Sequence, residues 1–359
     1  MNHLIMRKSY PGGSCAVTRP DPTGPPPADP VLLLDVTLRD GGYVNGHSWR
    51  LDDAVGIVHT VDRAGIPLVE VGYLRDGEDP LRPSASCPPA YLDRLAAEAR
   101  QAGLVVMVRP GECSPARLAG LGGHGVRMVR VVIGLGRVAA AGPYVEAARA
   151  AGLLVATNLT RVSEVEPAAL AGPVRDCAAA GADVVYLADS NGSLFPAGVR
   201  DRVAAALAAS PVPVGFHAHD NLGLAFANSS AAVQAGARAL DASVGGIGKG
   251  GGNLRLELVA AHRMLTTGAG YHLDPLFSDR HTVPARLQML AEGGSGPLVA
   301  GLLDVNLDGA RAFREQAAQC GFDALLAGAR AAAGAPPASP AGRPWWVPDP
   351  AAAERERTS

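Results

Sequence analysis

Two histidines flank a single alanine in the stretch "FHAHDN", where an apolar run ends at His217 and His219. Residues i and i+2 of a strand point to the same face, so both imidazoles can reach one metal ion. A lone buried histidine is more often a satisfied core residue, but a pair on one strand face next to strand ends bearing carboxylates reads as a ligand set. The stretch "LLLDVTLRDGGYVNGHSW" supplies the missing anion, because its apolar run stops at Arg39 and Asp40. Asp40 offers a third ligand, and two histidines with one carboxylate leave positions for a chelating substrate. With no thiolate in the set, Mn2+ or Mg2+ fits better than structural zinc. Arg39, beside the metal ligand, is an always-charged donor suited to a carboxylate or an enolate oxygen.

Other polar residues collect at the ends of apolar runs. Glu70 lies in "VEVGY", Asn158 ends "LLVATN", and Ser190 follows Asp189 in "ADSNG". Glu70, Asn158 and Ser190 are expected to contact the substrate. The loop that begins at Asp40 must fold over the metal, which makes Tyr43 and His47 its nearest titratable groups. A neutral imidazole, titrating near about 6.5, suits a general base, so His47 is expected as base with Tyr43 as helper. The competing reading is that His47 only satisfies the backbone of its own loop. The chain has two lysines, Lys8 and Lys249, and neither sits where a desolvated Schiff-base amine would be expected. The run "GGIGKGGGN" (Gly245 to Asn253) matches G-x-G-x-x-G, but it follows the last strand of an α/β series rather than the first, and Lys249 is followed by glycine. It reads as a flexible loop approaching the substrate, not as a dinucleotide or P-loop site.

These residues need a scaffold that gathers strand ends. β-branched runs at 31–38, 67–72, 104–109, 126–133, 153–158, 183–188, 212–217 and 239–244 alternate with segments of helical period. The helices are expected at 52–64, 89–102, 114–120, 137–151, 163–180, 196–208, 221–235 and 254–267. Eight such units predict an α/β fold, a (β/α)8 TIM barrel over 31–270, with a doubly wound open sheet as the alternative. Residues 1–30, with seven prolines, read as a disordered extension. Residues 271–333 read as a small helical C-terminal appendage, and 334–359 as a disordered tail.

Composition excludes several classes. The formal net charge is −2 and 48% of residues are hydrophobic, which gives a sizeable core but no basic face for nucleic acid or an anionic membrane. No apolar run is long enough to span a bilayer, and the first residues lack the apolar core of a signal peptide. Five scattered cysteines without C-x-x-C spacing suit a reducing, cytoplasmic setting.

The motifs "DVTLRDG", "ADSNGSL" and "HAHDNLGLAFANSSAAVQAGARALDASVGGIGKGGGN" resemble those of the DRE-TIM metallolyases, above all 4-hydroxy-2-oxovalerate aldolase. The resemblance spans residues 31 to 267, close at the first, sixth, seventh and eighth strands and loose at the third and fourth. It implies a divalent metal on Asp40, His217 and His219, with Asn253 matching a further ligand of the lyase branch. It implies a class II aldolase that makes or cleaves a 4-hydroxy-2-oxo acid through a metal-held 2-oxo acid enolate, stabilised by Arg39. A 2-oxo acid of the pyruvate type and an aldehyde would be the substrates, and a homo-oligomer is expected. Two other readings stay open: an acyl-CoA-dependent synthase of the isopropylmalate or homocitrate type, and a non-catalytic barrel. The sequence departs from the family at three places. Tyr43 stands where the aldolases carry a histidine, Val299 where they carry a C-terminal tyrosine, and the glycine loop lacks the cysteine of hydroxymethylglutaryl-CoA lyase. The family also brings an acylating aldehyde dehydrogenase as partner, although the segment that docks it is poorly matched here.

Overall fold

The computed structural model describes residues 31–278. The expected extension at 1–30, residues 279–333 of the expected appendage, the tail at 334–359 and Val299 lie outside the described residues. Eight parallel strands close into a barrel in chain order: β1 (Leu32–Asp35), β2 (Leu68–Tyr73), β3 (Gly103–Val108), β4 (Val126–Gly134), β5 (Leu154–Thr160), β6 (Val184–Asp189), β7 (Val214–Ala218) and β8 (Ala239–Ala242). Pairing of β8 with β1 excludes the open sheet. The outer layer holds α1 (Leu51–Arg63), α2 (Pro89–Ala96), α3 (Gly142–Ala150), α4 (Ala171–Ala179), α5 (Pro196–Ala209), α6 (Ala225–Gln234) and α7 (Leu256–Thr267), followed by the short α8 (Asp274–Ser278).

The strands read as continuous apolar runs because both of their faces are covered, and all six residues of β3 are buried. The helices bury one stripe each. In α1, Ala54, Ile57, Val58 and Val61 face the sheet, with Asp52 and Asp53 in the first turn and Arg63 in the last, complementing the helix dipole. Several expected helices are shorter than their periodicity suggested. The segment 89–102 is helical only to Ala96, and 114–120 contains just a 3-10 turn, Pro115–Leu118. Prolines and glycines cut the others: Pro167–Leu170 is a 3-10 turn before α4, Leu135–Ala141 is another before α3, and a turn through Gly223 delays α6 to Ala225.

The first strand also ends early. It was expected to run to Leu38, yet it stops at Asp35, whose carboxylate accepts from Thr37 N at 3.1 Å and Thr37 Oγ1 at 2.6 Å. That local bond turns the backbone, and Asp40 N then closes back on Val36 O at 2.8 Å. Arg39 and Asp40 therefore sit on a tight turn above β1 rather than on the strand itself.

A second local feature sets the barrel interior. The register of β2 on β3 slips by one residue, pairing Glu70 with Val105 but Gly72 with Val106 and Tyr73 with Met107. Val71 is the extra residue of a bulge, so Glu70 and Tyr73, three apart in sequence, both face inward. Glycine is required there: Gly72 has φ +152°, and a Cβ would lie 2.1 Å from Ser84 O. Gly72→Ala should lower the melting temperature by roughly 5 °C or more, from about 1–3 kcal/mol of strain and clash, and should perturb the tyrosine signals of near-ultraviolet circular dichroism. An unchanged melting temperature would show that the bulge is not constrained as described.

Candidate metal centre

At the C-terminal mouth of the barrel, Asp40, His217 and His219 bring ligand atoms within 4.8 Å of one another, and all three residues are buried. His217 lies on β7, and His219 follows it, bridged to Asn253 of the glycine loop. The two Nε2 atoms are 3.4 Å apart, and His217 Nε2 is 3.8 Å from Asp40 Oδ2. The other ring nitrogens each face an acceptor. His217 Nδ1 lies 2.9 Å from Asp241 Oδ2, and His219 Nδ1 lies 3.2 Å from the carbonyls of both Lys249 and Gly252. Those acceptors fix the N–H on Nδ1 of each ring, so both Nε2 lone pairs converge beside a carboxylate. Such an arrangement repels itself unless a cation lies between the rings. Burial lowers the His219 pKa to about 4 despite the pull of Asp40, which keeps this ring a neutral donor. Burial alone would raise the Asp40 pKa, but Arg39 and the two histidines hold its carboxyl well below the usual range. Asn253 donates to Asp40 Oδ1 at 3.1 Å and to Ile247 O at 3.0 Å, while its own Oδ1 is buried without a partner, as an atom left for a cation would be. The donor set of nitrogens and oxygens fits a divalent ion.

Below the centre runs a chain of buried charges. Arg39 bonds Asp40 through Nη1 and Glu70 through Nε at 2.6 Å. Glu70 also accepts from Arg130 at 3.1 Å, Arg130 reaches Asp241 at 2.7 Å, and Asp241 returns to His217. The Arg130 guanidinium lies 4.2 Å over the Tyr186 ring, which has room because residue 215 is glycine. Glu70 was expected to touch substrate. That reading is corrected: Glu70 is fully buried under Arg39 and is absent from the cavity wall, so it orients the arginine instead. Arg39 lines the cavity and keeps one donor, Nη2, buried without a partner.

The cavity above has a volume of about 760 Å3, and Arg39, Asp40, Tyr43, Asn158, Ser190, His217 and His219 all line it. His47 does not. Its ring packs edge-on behind Tyr43 and Tyr73, with centroids 5.1 and 5.5 Å away, and it sits against Gly42, where no side chain could fit. Burial and the nearby Arg39 and Arg75 lower its pKa to about 4, which makes it a weak base. Tyr43 instead reaches the cavity, its hydroxyl 2.8 Å from that of Tyr73 and accepting from Arg109 Nη2 at 2.9 Å. Burial pushes the Tyr73 phenol upward. The glycine loop, expected to be flexible, is tied to the centre, with Lys249 N donating to Asp40 Oδ1 at 3.1 Å and Gly251 N to Asn221 Oδ1 at 2.7 Å.

Purified protein loaded with Mn2+ or Mg2+ should hold about one ion per chain, and His217→Ala combined with His219→Ala should abolish it in elemental analysis. Asp241→Asn, which keeps all three ligands, should weaken affinity roughly 10–100-fold by releasing the orientation of His217. Full metal content in the double variant would remove the assignment.

An HMGL-like family model matches residues 137–278. The chain is 34% identical to a 4-hydroxy-2-oxovalerate aldolase of Geobacillus genomosp. 3, over 66% of this chain and 71% of that one. It is 34% identical to 4-hydroxy-2-oxovalerate aldolase 2 of Nocardia farcinica, over 73% and 77%. It is 33% identical to an oxaloacetate decarboxylase of Mycobacterium tuberculosis, over 68% and 74%. In fold it matches the N-terminal domain of a candidate aldolase from Bacteroides vulgatus, with a TM-score of 0.70 and 24% identity over 79% of this chain and 96% of that one. The carboxyl transferase domain of Rhizobium etli pyruvate carboxylase with pyruvate and biocytin matches with a TM-score of 0.64 and 20% identity, over 80% of this chain and 53% of that one. The chain belongs to the HMGL-like, DRE-TIM family of barrel carbon–carbon lyases that includes the 4-hydroxy-2-oxovalerate aldolases.

Proposed function

We propose that this chain is a divalent-metal-dependent aldolase joining a 2-oxo acid of the pyruvate type to an aldehyde, or cleaving the 4-hydroxy-2-oxo acid so formed. The observation that carries this reading is Arg39, which lines the cavity beside two converging imidazole nitrogens and keeps its Nη2 buried without a hydrogen-bond partner. A divalent ion on Asp40, His217 and His219, of which Mn2+ and Mg2+ suit the donors, supplies Lewis acidity to the keto group of the oxo acid. Arg39 stabilises the enolate oxygen. Two of its nitrogens are fixed by Asp40 and Glu70, so the third is already aimed and needs no rearrangement as charge develops. Asn158 on β5 and Ser190 after β6, which line the same cavity, hold the carboxylate end of the oxo acid.

Proton transfer falls to Tyr43. In synthesis its phenolate takes a methyl proton from the oxo acid to give the enolate and returns that proton to the new 4-alkoxide. In cleavage the phenolate takes the 4-hydroxyl proton while the C3–C4 bond breaks, and passes it to C3 of the enolate to release the oxo acid. Tyr73 and Arg109 hold the phenolic oxygen in place, and Lys249 Nζ lies 5.2 Å over the ring. His47 becomes a packing residue behind it. The same enolate follows from loss of carbon dioxide from a 3-carboxylated 2-oxo acid, the activity named for the mycobacterial relative, so oxaloacetate belongs among the substrates assayed. The cytoplasm suits the free cysteines Cys87, Cys113 and Cys177, and no helix among the described residues is long and apolar enough to cross a membrane.

Two experiments test the reading. With metal-loaded protein and pyruvate in heavy water, the methyl group should exchange deuterium. Tyr43→Phe should lose aldol turnover by roughly 100-fold or more, whereas His47→Ala should keep its metal and most of its rate. The reverse ranking would return the base to His47. Separately, chelation should abolish activity, and borohydride with pyruvate should trap no adduct, since Lys249 is the single lysine among residues 31–278. A covalent pyruvyl adduct on Lys249 would overturn the metal-assisted mechanism.

A further inference from the structure

The cavity is polarised from one side to the other. The ligands come from β7 and from the turn above β1. The opposite wall is built by three successive strands, and each is followed by an arginine that lines the cavity: Arg109 after β3, Arg137 after β4 and Arg161 after β5. Lys249 adds a fourth cation. Setting aside the Arg39–Asp40 pair, the one carboxylate facing these four is Glu112, and it is engaged by Arg75 Nε at 2.7 Å and Arg109 Nη1 at 3.6 Å. Arg161 is only loosely paired, 3.7 Å from Glu164, and its backbone is pinned at φ +58° by a bond from its N–H to Ser190 Oγ at 3.0 Å. Arg137 has no hydrogen-bond or ion-pair partner among the described residues. A three-carbon oxo acid at the ligand triad fills a small part of about 760 Å3, which leaves room for a larger second substrate in a cavity that these arginines line.

We infer that the second substrate is an anionic aldehyde, carrying a carboxylate or a phosphate at the end away from its carbonyl, and that Arg137 and Arg161 select it. This rests on the aldolase reading above and names the class of its acceptor. The enolate carbon C3 attacks the aldehyde carbon, a C–C bond forms, and the carbonyl oxygen takes the Tyr43 proton to become the 4-hydroxyl. The anionic tail then extends to the β4–β5 side of the mouth. Guanidinium groups suit that task because they pair with planar or tetrahedral oxyanions through two parallel bonds. A neutral two-carbon aldehyde would leave the arc of cations unused.

The test uses the metal-loaded full chain with pyruvate and matched aldehydes: succinic semialdehyde against butanal, and glyceraldehyde 3-phosphate against glyceraldehyde. The anionic member of at least one pair should win by about tenfold or more in kcat/KM, and the winning pair distinguishes carboxylate from phosphate. Arg137→Ala with Arg161→Ala should erase that preference, and the double lysine variant should restore part of it. Deuterium exchange into pyruvate should survive in both. Equal kcat/KM for neutral and anionic members, an unchanged preference in the alanine variant, or loss of pyruvate exchange along with it would each overturn the inference. If no aldehyde reacts, the aldolase reading has failed, and calorimetry decides the inference separately. The unreactive 4-hydroxybutanoate should then bind the wild type but not the alanine variant, with butane-1,4-diol binding neither; binding that does not depend on the two arginines would overturn it.

Discussion

A closed circuit of buried charge holds the mouth of this barrel together. It runs Asp40, Arg39, Glu70, Arg130, Asp241, His217 and back to Asp40, with every neighbour between 2.6 and 3.8 Å except the closer Arg39–Asp40 contact. Ion pairs removed from water gain little over an apolar core, yet breaking one leaves an uncompensated charge and costs about 3–5 kcal/mol. The circuit is therefore a weak source of stability but a strong source of geometry. Three carboxylates against two guanidiniums leave one negative charge over among buried groups. A dication between the two imidazoles reverses that imbalance, and a bound oxo acid anion then neutralises it. The same carboxylates that fix the ligands thus set the charge of the substrate the site will accept.

Much of this was legible in the sequence, and what was missed follows a pattern. The H-x-H pair, Asp40 and Arg39 were readable because side-chain alternation on a strand is local, and a polar residue at the end of an apolar run stands out. Arg130 and Asp241 carried the same kind of signal, a charge in mid-strand among valines and alanines, but each makes sense only through a partner 60 or 111 residues away. Tyr73 was hidden by the bulge at Val71, because strict alternation puts residues 70 and 73 on opposite faces. His47 was overvalued for a related reason. Its closeness in sequence to Asp40 implied closeness to the metal, but the 3-10 turn Gly41–Asn45 turns Tyr43 into the cavity and His47 behind it. Helix starts were overrun where a 3-10 turn or a glycine bend precedes the helix, as at α3, α4 and α6, whereas α2 stops at Ala96 with no proline or glycine to mark it.

The sheet is unevenly sewn. Seven registered pairs join β4 to β5, whereas two join β1 to β2 and two join β7 to β8. The ligand triad spans β7, β8 and β1, with Asp40 above β1, His217 on β7, and the glycine loop after β8 gripping both Asp40 and His219 through Lys249 and Gly252. β1 and β8 are themselves held by four registered pairs, and the bonds of the glycine loop to Asp40 and His219 add a second tie above them. A chain emerging from the ribosome amino end first cannot assemble that clasp until residue 253 is free. The site is complete only when the two ends of the barrel sequence have met, and an ion held by Asp40, His217 and His219 would fasten the turn above β1 to β7 as well as serve the chemistry.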